Sequence, residues 1–127
     1  MSDPADRSYA VRVTLTAEKA LNDHALFIAR QEHDAEPARR WYDGADEAVA
    51  TLDFLPRRCG LAEEDAHRPY EVRRLIYGCH LILFTVDDAN DTVYIIGLRH
   101  GARLPRPGEL HATLDDVRAD VLSDDGD

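Results

Sequence analysis

A chain of 127 residues fits a single domain, and one of this size buries roughly two-thirds of its unfolded surface without needing a disulfide or a metal. With 44% hydrophobic residues it has the composition of a globular protein, but no apolar run approaches the roughly 20 residues of a membrane span. A formal net charge of −10 argues against a protein that coats nucleic acid with its whole surface.

The opening Met1–Asp6 is polar and acidic, the opposite of a signal peptide, so a cytoplasmic protein is expected. Alternation of apolar and polar residues predicts a strand over Tyr9–Leu15. Thr16 fits the N-cap of a helix reaching about His33, with Ala17, Leu21, Ala25 and Ile28 on one face. Pro37 suits the first turn of a second helix, where Ala38, Trp41, Ala45, Val49 and Leu52 repeat at helical spacing. Gly44 costs that helix about 1 kcal/mol relative to alanine, too little to cancel the stripe. A short acidic link between the two helices implies an antiparallel hairpin.

Pro56-Arg-Arg-Cys-Gly ends the second helix, and an irregular acidic stretch follows from Leu61 through Pro69; Cys59 and Cys79 are too few for a secreted scaffold and have no CxxC or zinc spacing. No metal or cofactor is expected. Strand-like runs follow over Tyr70–Tyr77, His80–Val86 and Thr92–Leu98, joined by short turns as an antiparallel meander. Arg99–Arg103 leaves the last strand as a loop, where Gly101 suits a positive φ. Thr113 fits the N-cap of a short helix to about Leu122, and Ser123–Asp127 is expected to be disordered. The order is β-α-α-β-β-β, an α+β fold in which a helical hairpin packs on an antiparallel sheet.

Charge divides the chain. Phe54–Arg106 carries eight bases and seven acids, whereas Pro107–Asp127 carries one base and seven acids. Residues 1–106 are therefore read as the functional domain and 107–127 as an acidic extension, solvated and dispensable, or else a polyanion mimic over a basic patch or an added partner contact.

Four phrases in this order resemble the RelE/ParE superfamily of toxins from type II toxin–antitoxin modules. They are the opening strand with its Ala/Leu helix; Ala38-Arg-Arg-Trp closing at Leu55-Pro56; Glu71-Val-Arg-Arg-Leu-Ile-Tyr-Gly running into His80-Leu-Ile-Leu-Phe; and Val93-Tyr-Ile-Ile-Gly-Leu-Arg-His-Gly-Ala-Arg. The last is most similar to ParE-type members. The resemblance implies a cognate antitoxin as partner and one of two targets: DNA gyrase, poisoned by binding, or mRNA on the ribosome, cleaved as RelE-type members do.

Cleavage would need a base for the 2′-hydroxyl, an acid for the leaving oxygen and cations on the phosphorane. By resemblance these would be Glu64 (or Glu63), His100, and Arg73 or Arg74 with Arg103. Adjacent Arg73 and Arg74 point to opposite faces of a strand, so only one faces any given site, and either could instead pair with Glu63, Glu64 or Asp65. The departures favour ParE: the third strand has Leu81 where ribonuclease members carry Arg, the second strand has no Lys, and no Tyr follows Arg103. The expected product is a ParE-like toxin of a plasmid-stabilisation module, the alternatives being a RelE-like ribonuclease or a degenerate, non-toxic member that keeps only antitoxin binding. Its target-binding residues would be Arg73, Arg74, His100 and Arg103, gathered at the far rim of the sheet. Leu21, Ile28 and Tyr42 would line the antitoxin face. Trp41 is expected in the core, and His24, His33, His67 and His111 on the surface.

Overall fold

The computed structural model describes residues 7–121; the expectations for Met1–Asp6 and for Ser123–Asp127 lie outside them. In chain order it contains β1 (Ala10–Val13), α1 (Leu15–Glu32), α2 (Ala35–Ala50), β2 (Arg73–Tyr77), β3 (His80–Asp87), β4 (Thr92–His100) and α3 (Leu114–Ala119). No helix among the described residues is long and apolar enough to cross a membrane.

The sheet runs β1-β4-β3-β2. Strands β2, β3 and β4 form the antiparallel meander, while β1 joins β4 in parallel and makes the sheet mixed. The parallel pairing follows from connectivity: the helical hairpin, β2 and β3 lie between the two strands in the chain, and no tight turn has to join them.

Helix α1 begins two residues earlier than Thr16 suggests. Thr14 is the N-cap, its hydroxyl accepting the Ala17 amide at 3.2 Å and donating to the Ile95 carbonyl at 2.8 Å. Thr16 instead bonds Asp120 through both its amide and its hydroxyl. His33 ends α1 in the left-handed region, and Asp34 caps α2 by accepting the Glu36 amide. With only His33 and Asp34 between them, the helices must double back. Gly44 has a sharper reason than propensity: a Cβ there would lie inside van der Waals contact with the Tyr77 hydroxyl, which donates to the Trp41 carbonyl at 2.9 Å.

Each face of the sheet buries a core. Leu21, Ala45, Val49, Leu52, Ile82, Phe84 and Ile95 fill the space between hairpin and sheet, with Trp41 packed partly buried against them. On the other face Val72, Leu83, Tyr94 and Ile96 meet Leu110 and Val117. The segment from Pro107 to Val121 is therefore not a solvated appendage. Arg68 donates to the Pro107 carbonyl, Tyr70 to the His111 carbonyl at 2.6 Å, and Arg118 to Asp87 at 2.9 Å. The helix predicted to reach Leu122 ends at Ala119.

The largest departure lies at the end of β4. Arg99 and His100 continue the strand rather than leaving it. Gly101 has no positive φ; among the described glycines only Gly78 does. Gly101 serves close approach instead, its amide donating to the Cys79 carbonyl at 2.8 Å, with room for a Cβ only 3.3 Å from that oxygen.

Candidate functional site

The end of the β3–β4 ladder sets two histidines opposite each other, His80 pairing with His100. Cross-strand partners share a face, and the alternation His80, Ile82, Phe84 makes this the face toward the hairpin. Helix α1 supplies a third imidazole: His24 lies one turn beyond Leu21, and its ring centroid is 4.3 Å from that of His80, which is 5.2 Å from His100. Trp41 packs against His24 at 4.6 Å and Phe27 stacks on it at 5.9 Å. After β4 the chain turns, the Ala102 amide donating to His100 Nδ1 and the Arg103 amide to the His100 carbonyl. This turn brings the Arg103 side chain beside the imidazoles. Ala20, Asp23, His24, Phe27, His80, Leu98, His100 and Arg103 enclose a cleft of about 420 Å³.

The electrostatics of the cleft follow from its members. Burial first, then the neighbouring His24, His100 and Arg103, hold His80 down at about 4. His24 is lowered for the same reasons, burial followed by His100 and Arg103. Asp23 is the one carboxylate in the lining, and it is engaged by Lys19 at 2.8 Å. The Arg103 guanidinium has no hydrogen-bond or ion-pair partner among the described residues. No group of three His, Cys, Asp or Glu residues among them is arranged to hold a metal ion.

Of the residues expected at the site, the structure brings His100 and Arg103 together in this cleft, and both also line a second cleft of about 240 Å³ whose wall includes Glu64 and Arg99. Arg73 and Arg74 project from opposite faces of β2, opposite Phe84 and Leu83. Neither pairs with residues 63–65: Arg73 donates to the Cys59 carbonyl at 2.6 Å and to Glu71 at 2.9 Å, and Arg74 to the Leu61 carbonyl. Glu64 is 1% exposed and clasped by Arg99, Nε to Oε2 at 2.7 Å and a terminal nitrogen to Oε1 at 3.2 Å. Arg99 pairs with Leu81 and so lies on the sheet face away from His100. The single rim expected to hold all the guanidinium groups is thus two separate surfaces.

The expected antitoxin face is also redistributed. Leu21 is buried in the core, because it lies on the same side of α1 as Ala17 and meets the sheet. Ile28 is half-buried. The Tyr42 hydroxyl donates to Glu18 at 2.6 Å, and that bond, with burial, pushes it up to about 12. The apolar side chains that α1 does expose are Leu15, Leu26 and Phe27. Leu104, after β4, is the most exposed large apolar residue at 84%.

Sequence reasoning missed His24, His80 and Arg99. The histidines carried a signal: His24 shares the helical face of Leu21 and Ile28, and His80 begins the inward alternation of β3. Arg99 carried none, since its partner is 35 residues away.

The family described as "ParE toxin of type II toxin-antitoxin system, parDE" matches residues 11–105. The chain belongs to this family. No curated protein matches it. Among solved structures, this ParE-family chain is similar to the crystal structure of the toxin–antitoxin complex RelBE2 from Mycobacterium tuberculosis. The TM-score is 0.51 at 23% identity, covering 80% of this chain and 100% of that one. That likeness shows a shared fold. The matched span includes the whole cleft, while the packed segment after Pro107 lies beyond it. Membership therefore rests on the order of elements and the family match, not on the dispersed arginines.

Proposed function

We propose that this ParE-family toxin inhibits growth by binding rather than by cutting RNA, with DNA gyrase as its target, in the cytoplasm. A cognate antitoxin would neutralise it, within a module of the plasmid-stabilising kind. One observation carries the choice: both oxygens of Glu64 are held by Arg99 on the sheet face opposite His100. A general base needs an oxygen free to take the proton, and Glu64, 1% exposed with both oxygens engaged by Arg99, offers none, although it and His100 line one cleft. Arg74, tied to the Leu61 carbonyl, is likewise on the far face from His100. The net charge of −10 further opposes approach to the polyanionic ribosome.

The antitoxin assignment is supported by the family and by a solved relative that is itself a toxin–antitoxin complex. Its docking surface would use the exposed Leu26 and Phe27 of α1 with the half-buried Ile28, as an apolar groove suited to an amphipathic helix.

Expression of the chain without a neighbouring antitoxin tests the proposal. Growth arrest with induction of a DNA-damage reporter, retained in His100→Ala, is the expected result. Arrest with codon-specific mRNA cleavage that His100→Ala abolishes would establish the ribonuclease reading instead, and absence of arrest would mark a non-toxic member.

A further inference from the structure

The loop that follows β4 is exposed at its tip and fixed at both ends. Gly101 to Leu104 are exposed, and Leu104 is more so than any other large apolar side chain among the described residues. A single exposed leucine is ordinary on a protein surface; what sets this one apart is the backbone that carries it. Before it, Arg99 donates to the Arg103 carbonyl at 3.0 Å, from a guanidinium that Glu64 already holds. After it, Arg68 donates to the Pro107 carbonyl through Nε at 3.0 Å and a terminal nitrogen at 2.7 Å. Pro105 and Pro107 restrict two of the intervening φ angles, and Leu110 anchors the following turn in the core.

The charge here runs against that of the whole molecule. From Thr92 to Gly108 the sequence has no Asp or Glu, in a chain of net charge −10. Arg99 is neutralised by Glu64, which leaves Arg103 and Arg106, both exposed. Arg106 meets Glu109 at 3.4 Å, a surface pair that constrains it little. Arg103, Leu104 and Arg106 border the same cleft of about 240 Å³, which Leu98 and Leu110 also line. The loop is thus a pre-formed apolar tip flanked by two guanidinium groups.

We propose that Leu104 and Arg106 form the contact by which the toxin grips its target protein, Leu104 entering an apolar pocket whose rim carries carboxylates for Arg106. The inference rests on the proposal that this target is DNA gyrase. A loop fixed in advance has little freedom to lose on binding, so a few contacts suffice for affinity. The acidic rim follows from charge: on a chain otherwise negative, a positive tip selects the docking orientation and speeds encounter. A nucleic acid fits less well, because leucine offers no flat face on which a base can stack. The same placement accounts for neutralisation. Phe27 of α1 and Arg103 line one cleft, so an antitoxin seated on Leu26 and Phe27 lies against the loop and bars the target from it.

The test titrates the full chain onto immobilised DNA gyrase, with immobilised duplex DNA as a second surface. Wild type should bind gyrase, and Leu104→Ser and Arg106→Glu should each lose roughly tenfold or more in affinity. Leu104→Met and Arg106→Lys should lose much less, and Arg39→Ala on the exposed face of α2 should lose none. All variants should melt with wild type, because the side chains changed are exposed. Gyrase binding left undiminished by either Leu104→Ser or Arg106→Glu overturns this inference and leaves the gyrase reading standing. No binding of wild type to gyrase overturns both. Variants that lose binding to duplex DNA while keeping gyrase binding overturn it in favour of a nucleic-acid contact.

Discussion

Arg99 reaches across the outer face of the sheet to hold both carboxylate oxygens of Glu64, in a pair whose side chains are 7% and 2% exposed. A third bond, from Arg99 to the Arg103 carbonyl at 3.0 Å, ties the same guanidinium to the turn beside the histidine cleft. Breaking a buried pair leaves one charge uncompensated and costs about 3–5 kcal/mol. Glu64→Gln should therefore lower the unfolding free energy by that order in a urea titration, and Glu64→Gln with Arg99→Met should recover much of it. A catalytic Glu64 would give the opposite pattern, activity lost and stability kept.

The Gly44–Tyr77 contact reverses an ordinary expectation. Alanine in a helix interior gains about 1 kcal/mol over glycine, but here its Cβ meets the Tyr77 hydroxyl and displaces the bond to Trp41. Gly44→Ala should lower the melting temperature, and Tyr77→Phe in that background should restore part of the loss.

Much of the architecture was legible because it is written locally. The helical stripes from Ala17 to Ile28 and from Ala38 to Leu52, and the alternation of the meander, gave the element order directly. What was illegible depends on distant partners. Arg99 broke the apolar pattern of β4 and so looked like a loop, yet burial beside Glu64 keeps it in the strand. Thr14 and Thr16 both suit an N-cap; the choice is made by Asp120, which claims Thr16. Arg73 and Arg74 were expected on opposite faces, and that alternation is what separates them from one another and Arg74 from His100.

The segment after Arg106 carries structural weight despite its charge. Leu110 and Val117 are buried against the sheet, and burial of two such side chains contributes roughly 3–6 kcal/mol. Asp120 is half-buried, which opposes its ionisation, but bonds from Thr16 and His111 outweigh this and hold it below the usual carboxylate range. Truncation after Arg106 should destabilise the domain by that order in thermal unfolding; an unchanged melting temperature would show that the segment is dispensable.

Acid should lower the stability of the chain over two successive pH windows. His80 is held at about 4 against an ordinary 6.5, so between those values the unfolded chain takes up a proton that the folded chain refuses. Its contribution is complete above that window and is lost as pH falls through it; His24, also lowered, acts with the same sign. Asp87, lowered chiefly by its bond from Arg118, and Asp88, by its bond from Arg57, lose their contributions only at more acid pH. Urea midpoints measured without phosphate should therefore fall between about pH 7 and about pH 4.5, and His80→Phe should flatten that slope.

The most direct test of a toxin that works by binding is to incubate the purified chain with DNA gyrase and supercoiled plasmid, then denature the enzyme and measure cleaved DNA. The account predicts linear plasmid trapped in proportion to the chain added, undiminished by His100→Ala. Unbroken plasmid at every concentration, together with mRNA cut in a translating extract, would contradict it.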